Sequence, residues 1–312
     1  MKTAFLFPGQ GAQFVGMGKD AADAFPAAKE IFQKANDILR FDVARICFEG
    51  PADTLNTTTI SQPAIFATSA AILEVVRTAE KTAAIKPDIT AGLSMGEYTA
   101  LYAAGLISFA DALMLVKKRG EAMQTAADKS KGGMVAIIGL DEDKVRQLCE
   151  EASQGEILEA VNFNCPGQVA ISGEVSACQR AEKLAEKYGA IKAVRLEVAG
   201  AFHTTMMTPA AEALSRALAQ TSIASPAGPK VIANVTADYY TSADQIRSSL
   251  AKQLTAPILW QKCMERLLAD GVEVFYEIGP GKVLTGLMKR INRKANIINL
   301  SSAQSLSEFL KS

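Results

Sequence analysis

The sequence of 312 residues holds a single histidine, a single tryptophan and five cysteines, and its 33 Lys and Arg cancel its 33 Asp and Glu. Each scarcity excludes something. One imidazole cannot build a His-rich zinc or di-iron site. Cys47, Cys149, Cys165, Cys178 and Cys263 are scattered, odd in number and without a CxxC pair. No metal centre and no disulfide framework is expected, and a reducing compartment is the simpler setting. A zero net charge gives no global field for nucleic acid or an anionic membrane, so electrostatic recognition must be local. Long apolar runs are lacking too. Uncharged stretches such as 63–73 fall short of the roughly 20 residues a bilayer requires. Met1 leads directly into Ala4-Phe-Leu-Phe7, with no basic leader before an apolar core. The expectation is a soluble, cytoplasmic protein, or one of the plastid stroma if a transit peptide was removed.

What is present is globular: 49% apolar and 21% charged residues. Hydrophobic periodicity predicts a strand at 4–7, a glycine turn, and an amphipathic helix over 21–39. A loop at Gly50-Pro51 leads to Gln62-Pro63 and a buried helix, then a strand at 88–92, a helix over 96–104 and another opened by Ser108 through about Ala127. Segments 133–139, 141–152, 157–163, 168–173, 174–188 and 190–198 read β-α-β-β-α-β, the order of a ferredoxin-like unit. A helix over 209–219, a strand at 231–235, helices over 242–254 and from Trp260, a strand at 272–279 and a last helix through about Lys294 follow. Strand–helix alternation on both sides of the middle segment predicts a parallel-sheet α/β core in two pieces, 1–130 and 200–312, carrying a small subdomain at 131–199.

Two glycine motifs fail their own tests. Gly9-Gln-Gly11 has Phe14 where a dinucleotide fingerprint needs glycine. Gly281-Lys282 has Tyr276 and Val283 at positions where a phosphate loop needs Gly and Ser or Thr. Gly92-Leu-Ser-Met-Gly96 is stronger, because G-x-S-x-G between a strand and a helix is the spacing of a strained nucleophile turn. A plain glycine turn is the alternative. His203 is either a packed histidine at a chain reversal or the base that a serine hydroxyl needs to become nucleophilic. No acid announces itself as a third member, although Glu197 lies nearby. Arg119, in Lys117-Lys-Arg-Gly120, reads as a solvated helix face or as a site cation. The run Lys282, Lys289, Arg290, Arg293 and Lys294 reads as surface, or as a receiver of phosphates or an acidic partner.

Together these residues resemble the malonyl-CoA:acyl carrier protein transacylases and related acyltransferase domains of polyketide synthases. The resemblance spans nearly the whole chain: Phe7-Pro-Gly-Gln-Gly-Ala-Gln13, the serine motif with Glu97-Tyr98, Arg119-Gly120 with Met123-Gln124, Asn164-Cys-Pro-Gly-Gln168, Ala201-Phe-His203, Gln253-Leu-Thr255 and Glu277-Ile-Gly-Pro-Gly-Lys282. It implies an α/β-hydrolase-like core with an inserted ferredoxin-like subdomain. It also implies Ser94 as nucleophile, His203 as general base and acid, and the backbone N–H groups of Gln10 and Met95 as oxyanion hole. Arg119 would bind the malonyl carboxylate, the Gln253 carbonyl would orient His203, and Phe202 would favour malonyl over branched acyl groups. Leu93 replaces the histidine common in this family, in the form G-L-S-x-G-E-Y-T-A-L similar to plant plastid and cyanobacterial members. The implied partners are malonyl-CoA and acyl carrier protein, with no bound cofactor, no nucleic acid and no membrane, in a monomer of fatty acid synthesis. A serine esterase and a carrier-protein docking module are the competing expectations.

Overall fold

The computed structural model describes residues 1–79 and 85–311. Among the described residues nine strands form two sheets: β1 (Thr3–Phe7), β2 (Ile89–Gly92), β3 (Gly132–Ile138), β4 (Leu158–Cys165), β5 (Gln168–Glu174), β6 (Lys192–Arg195), β7 (Lys230–Val231), β8 (Val274–Ile278) and β9 (Asn296–Leu300). The larger sheet has the order β7-β2-β1-β8-β9, with every neighbouring pair parallel. β1, at its centre, is buried at all five positions, which is why it reads as an unbroken apolar run instead of alternating. The smaller sheet, β4-β5-β3-β6, is antiparallel throughout and has the strand order of a ferredoxin-like unit. Its helices Glu142–Ser153 and Val175–Leu184 pack a separate apolar core beneath it.

Several boundaries differ from expectation, each for a local reason. The expected helix over 21–39 is two helices, Lys19–Ala24 and Pro26–Leu39, because Phe25 precedes proline and is driven to an extended conformation. The helix expected to follow Pro63 begins earlier and spans Thr58–Thr78, with Pro63 inside it. That helix is long and apolar enough to cross a membrane by length and composition, yet 83% of its most apolar window is buried within the protein. It packs against the helices Pro26–Leu39 and Phe109–Asp128 as a core element. The strand expected over 190–198 is confined to β6, because the chain turns after the Leu196 N–H has bonded the Met134 carbonyl, with the Val198 N–H closing on the Leu196 carbonyl, and Leu196 and Val198 line a cleft. The strand expected at 231–235 ends at Val231, and a turn closed by Ala237 N–H to the Ala233 carbonyl redirects Asn234. Helices Val43–Glu49, Ala52–Asn56 and Ala303–Phe309, and the edge strand β9, escaped the sequence reading.

Strands β1 and β2 end side by side, with Phe7 in register with Gly92, so the loops after them meet. Ligands in open parallel sheets bind beyond the carboxyl ends of strands, where such loops gather. The approach is so close that only glycine fits. A Cβ on Gly92 would overlap the backbone of Gly96, one on Gly96 would overlap the Phe7 carbonyl, and one on Gly9 the Leu93 carbonyl. Gly92→Ala should therefore lower stability by about 3 kcal/mol, the upper range for overpacking, because the clash is with backbone that cannot rotate aside. Gly286→Ala, with open space at its Cβ inside a helix, should raise stability by about 0.5–1 kcal/mol. Urea unfolding midpoints of the two variants check both signs.

Candidate active site

Ser94 sits between β2 and the helix Gly96–Ala103 in a left-handed conformation, φ 52°, which a β-substituted residue adopts only under constraint. The constraint is Asn234. Its Oδ1 accepts the Ser94 N–H at 2.7 Å, and its Nδ2 donates to the Gly92 carbonyl at 2.8 Å. His203 is likewise held at φ 64°. The two side chains, 109 residues apart in sequence, meet with Ser94 Oγ 3.0 Å from His203 Nε2.

The tautomer follows from the other ring nitrogen. His203 Nδ1 lies 2.7 Å from the backbone carbonyl of Gln253, which can only accept. Nδ1 therefore carries the proton, and Nε2 is the free base facing the serine hydroxyl. Glu197 lines the mouth of the same cleft but does not hold the imidazole; a neutral carbonyl stands where a triad acid would. Burial, with the Arg119 cation adding to it, pushes the imidazole down to about 3, against the opposing pull of the Gln253 carbonyl.

Arg119 is 1% exposed, whereas its neighbour Lys117 is at the surface pairing with Glu121. The solvated-face reading thus fails for Arg119. Its Nη1 donates to Gln62 Oε1 at 2.8 Å, and its Nη2 to Ser94 Oγ at 3.0 Å and Gln253 Oε1 at 2.9 Å. Among the described residues no carboxylate forms an ion pair with it, and its Nε has no hydrogen-bond partner. Burial lowers its proton affinity, partly offset by Tyr98 and Glu97. Gln253 touches Arg119, His203 and Ser94 alike, since its Nε2 also donates to the Ser94 carbonyl at 3.1 Å, and it reaches Glu97 Oε2 at 2.7 Å.

A cleft of about 380 Å³ opens over these groups, lined by Gln10, Leu93, Met123, Met134, Leu196 and Phe202 among others. The amides of Gln10 and Met95 donate to no acceptor among the described residues. Ser94, His203, Arg119, Gln253, Phe202 and Gln10 are thus brought together, with Met95 buried at the start of the helix behind the serine. The basic run is not part of the cleft. Arg290 pins its helix to the β4–β5 turn through Gln168 and the Pro166 carbonyl, and Lys289 donates to the Ala295 carbonyl. Sequence reasoning missed Gln62 and Asn234. A glutamine in the uncharged first four turns of the helix Thr58–Thr78 and an asparagine interrupting an apolar strand were the available signals.

The arrangement can accept a proton from Ser94 and stabilise negative charge beside it, which suits acyl transfer. It also fixes an acid sensitivity. The unfolded imidazole titrates near 6.5 and the folded one near 3, so its contribution is complete above pH 6.5 and is lost as pH falls toward 3. Between pH 7 and 5 the wild type should lose about 2 kcal/mol more stability than His203→Ala, read from urea midpoints at each pH.

The acyl transferase domain family matches residues 4–308. The malonyl CoA-acyl carrier protein transacylase of Bacillus subtilis is 44% identical over 306 residues, covering 98% of this chain and 95% of that protein. The Escherichia coli K12 protein of the same name is 44% identical over 288 residues, 92% of each chain. The solved transacylase of Coxiella burnetii superposes with a TM-score of 0.95 at 37% identity, covering 100% of this chain and 97% of that one. A type II PKS acyl-carrier protein in complex with its malonyl-transacylase gives 0.95 at 40% identity, with 100% and 99% covered. A serine with a free imidazole base, a buried arginine beside it, and relatedness across the full length converge on one conclusion: the chain belongs to the malonyl CoA-acyl carrier protein transacylase family of acyl transferases.

Proposed function

We propose that this protein transfers a malonyl group from malonyl-CoA to the phosphopantetheine thiol of acyl carrier protein, in fatty acid synthesis, through an ester on Ser94. The observation that carries the reading is a buried arginine without a carboxylate partner, hydrogen-bonded to the serine hydroxyl itself. An acyl group placed for attack by Ser94 has its far end within reach of Arg119 if that end is a carboxylate one methylene away. An esterase acting on neutral acyl groups has no use for such a cation.

Ser94 Oγ attacks the thioester carbon while His203 Nε2 takes the hydroxyl proton. The tetrahedral oxyanion falls to the N–H groups of Gln10 and Met95, a pair of donors with no competing acceptor. Collapse breaks the C–S bond, and the imidazolium returns its proton to the departing CoA sulfur. In the second half the phosphopantetheine thiol gives its proton to His203 and attacks the ester carbon, and Ser94 leaves as the hydroxyl. The Gln253 carbonyl keeps Nδ1 protonated throughout, so Nε2 alone exchanges protons. Phe202 stands by the acyl group, where its ring leaves little room for a branch on the malonyl carbon. CoA and phosphopantetheine come and go with substrate and partner, so no resident cofactor enters. Residues 131–199 act as a small subdomain forming one wall of the cleft, a role supported by Met134, Asn162 and Leu196 in its lining. The bacterial relatives support a cytoplasmic setting, and we read the working unit as a monomer.

Incubation with malonyl-CoA alone should add one malonyl group to the intact mass, absent in Ser94→Ala and discharged by holo acyl carrier protein. Release of free malonate at the rate of CoA release would sink the transferase reading in favour of a hydrolase. No adduct and no turnover would leave only a docking module. His203→Ala should slow adduct formation by about 10²–10⁴-fold. Arg119→Ala should lower kcat/KM for malonyl-CoA by about 10–100-fold, as expected for a charge-assisted contact of about 1.5–3 kcal/mol, with far less effect on acetyl-CoA.

A further inference from the structure

We propose that Glu97 is a positioning residue for acyl-group selection: its carboxylate locks the side-chain amide of Gln253 and, across that amide, supplies Arg119 with a counter-charge that leaves the guanidinium free for substrate. The inference rests on the carboxylate-binding reading of Arg119. Glu97 lies in the first turn of the helix that follows Ser94 and is 1% exposed. Its Oε1 accepts the Tyr240 hydroxyl, and its Oε2 accepts Gln253 Nε2 at 2.7 Å and the Asn234 N–H at 3.3 Å. Every donor to it is neutral, and among the described residues no cation pairs with it directly.

The amide between the two charges has only one workable orientation. Arg119 can only donate, so the atom facing it must be Oε1, as found at 2.9 Å. The other end must then donate, and it meets two acceptors, Glu97 Oε2 and the Ser94 carbonyl. A flipped amide would set NH₂ against the guanidinium and oxygen against a carboxylate. Arg119 and Glu97 therefore fix Gln253 from opposite ends, and Gln253 in turn presents its backbone carbonyl to His203. A carboxylate touching Arg119 would satisfy it and compete with the substrate. No counter-charge at all would leave a bare cation in a water-poor site, at large cost. One intervening amide meets both demands. Protonation of Glu97 would put a donor where Gln253 Nε2 needs an acceptor and so release the amide to flip its NH₂ toward Arg119, against the substrate site; burial raises this carboxyl to about 7 despite the donors around it.

The test is the acylation half-reaction, followed by intact mass with malonyl-CoA and, separately, acetyl-CoA. Glu97→Gln should lower malonyl kcat/KM at least tenfold, chiefly through KM, while acetyl transfer changes less than threefold. Adding it to Arg119→Ala should cost nothing further for malonyl. Equal losses with both acyl groups, or an unchanged malonyl-to-acetyl ratio, overturn the proposal, because a merely structural role moves both alike. Arg119→Ala alone separates the layers. Preference kept there overturns the arginine reading and this inference with it, whereas preference lost there but kept in Glu97→Gln overturns the role of Glu97 alone. Should Glu97→Gln not fold, the wild type and Tyr240→Phe serve. The malonyl-to-acetyl ratio should rise with pH through about 7 in the wild type. The midpoint should move upward in Tyr240→Phe, since the lost hydroxyl is a donor that favours the charged carboxylate. Of the other groups facing Glu97, Tyr98, Tyr240 and Cys263 are all raised by burial and stay neutral in this range, and a guanidinium such as that of Arg119 keeps its proton. His203, pushed down to about 3 in the free enzyme, does not titrate in this range and adds no pH dependence to either kcat/KM. A ratio flat from pH 5.5 to 8.5 overturns the proposal.

Discussion

A guanidinium held at 1% exposure without a carboxylate against it is the constraint on which the rest of this site depends. Desolvating a cation is expensive, and proteins ordinarily offset it with a direct ion pair. Here the offset is distributed over Gln62, Ser94 and Gln253, three neutral oxygens, with Glu97 one amide farther away. Each of those oxygens is fixed from elsewhere: Gln62 by the core helix Thr58–Thr78, Ser94 by the glycine-lined turn, Gln253 by a short 3-10 turn after Ala243–Lys252. Three distant chain segments therefore converge on one charge. Removing any of them exposes the mismatch between a buried cation and its surroundings.

Much of this was legible as residue types, and less of it as geometry. The serine turn announced itself because backbone crowding leaves glycine as the only residue at Gly92 and Gly96, and such positions are visible as spacing. The small sheet was legible because its β-α-β-β-α-β order could be read along the chain and a Pro-Gly turn joins β4 to β5. Arg119 was not legible from its own neighbourhood: Lys117-Lys-Arg119 looks like a solvated face, and only the helix's rotation puts two lysines outward and the arginine inward. The strand at 231–235 misread the same way, because apolar propensity around Asn234 masked a tertiary demand for an amide beneath Ser94. Edge strand β9 and the short helices Val43–Glu49 and Ala52–Asn56 bury few residues of their own and so leave a weak periodic signal.

The same constraint explains why the histidine is oriented by a peptide carbonyl instead of an acid. An aspartate at Nδ1 would stand a few ångströms from Arg119, since Gln253 contacts the imidazole through its backbone and the guanidinium through its side chain. At that range, in a poorly solvated site, the two charges would attract by several kcal/mol. The arginine would then be neutralised by the protein before a substrate carboxylate arrived. A carbonyl performs the tautomer selection, which is geometric, without supplying the charge. The consequence is a weak base: with Arg119 beside it and no anion behind it, His203 is held neutral far below its usual range. Under the proposed role of Arg119, a malonyl carboxylate paired with it would relieve that suppression, and an imidazolium formed by proton transfer from Ser94 would be stabilised most with that acyl group in place. Selection of the substrate and activation of the base would then be one electrostatic event. The chain's single histidine can perform it only because no acid accompanies it.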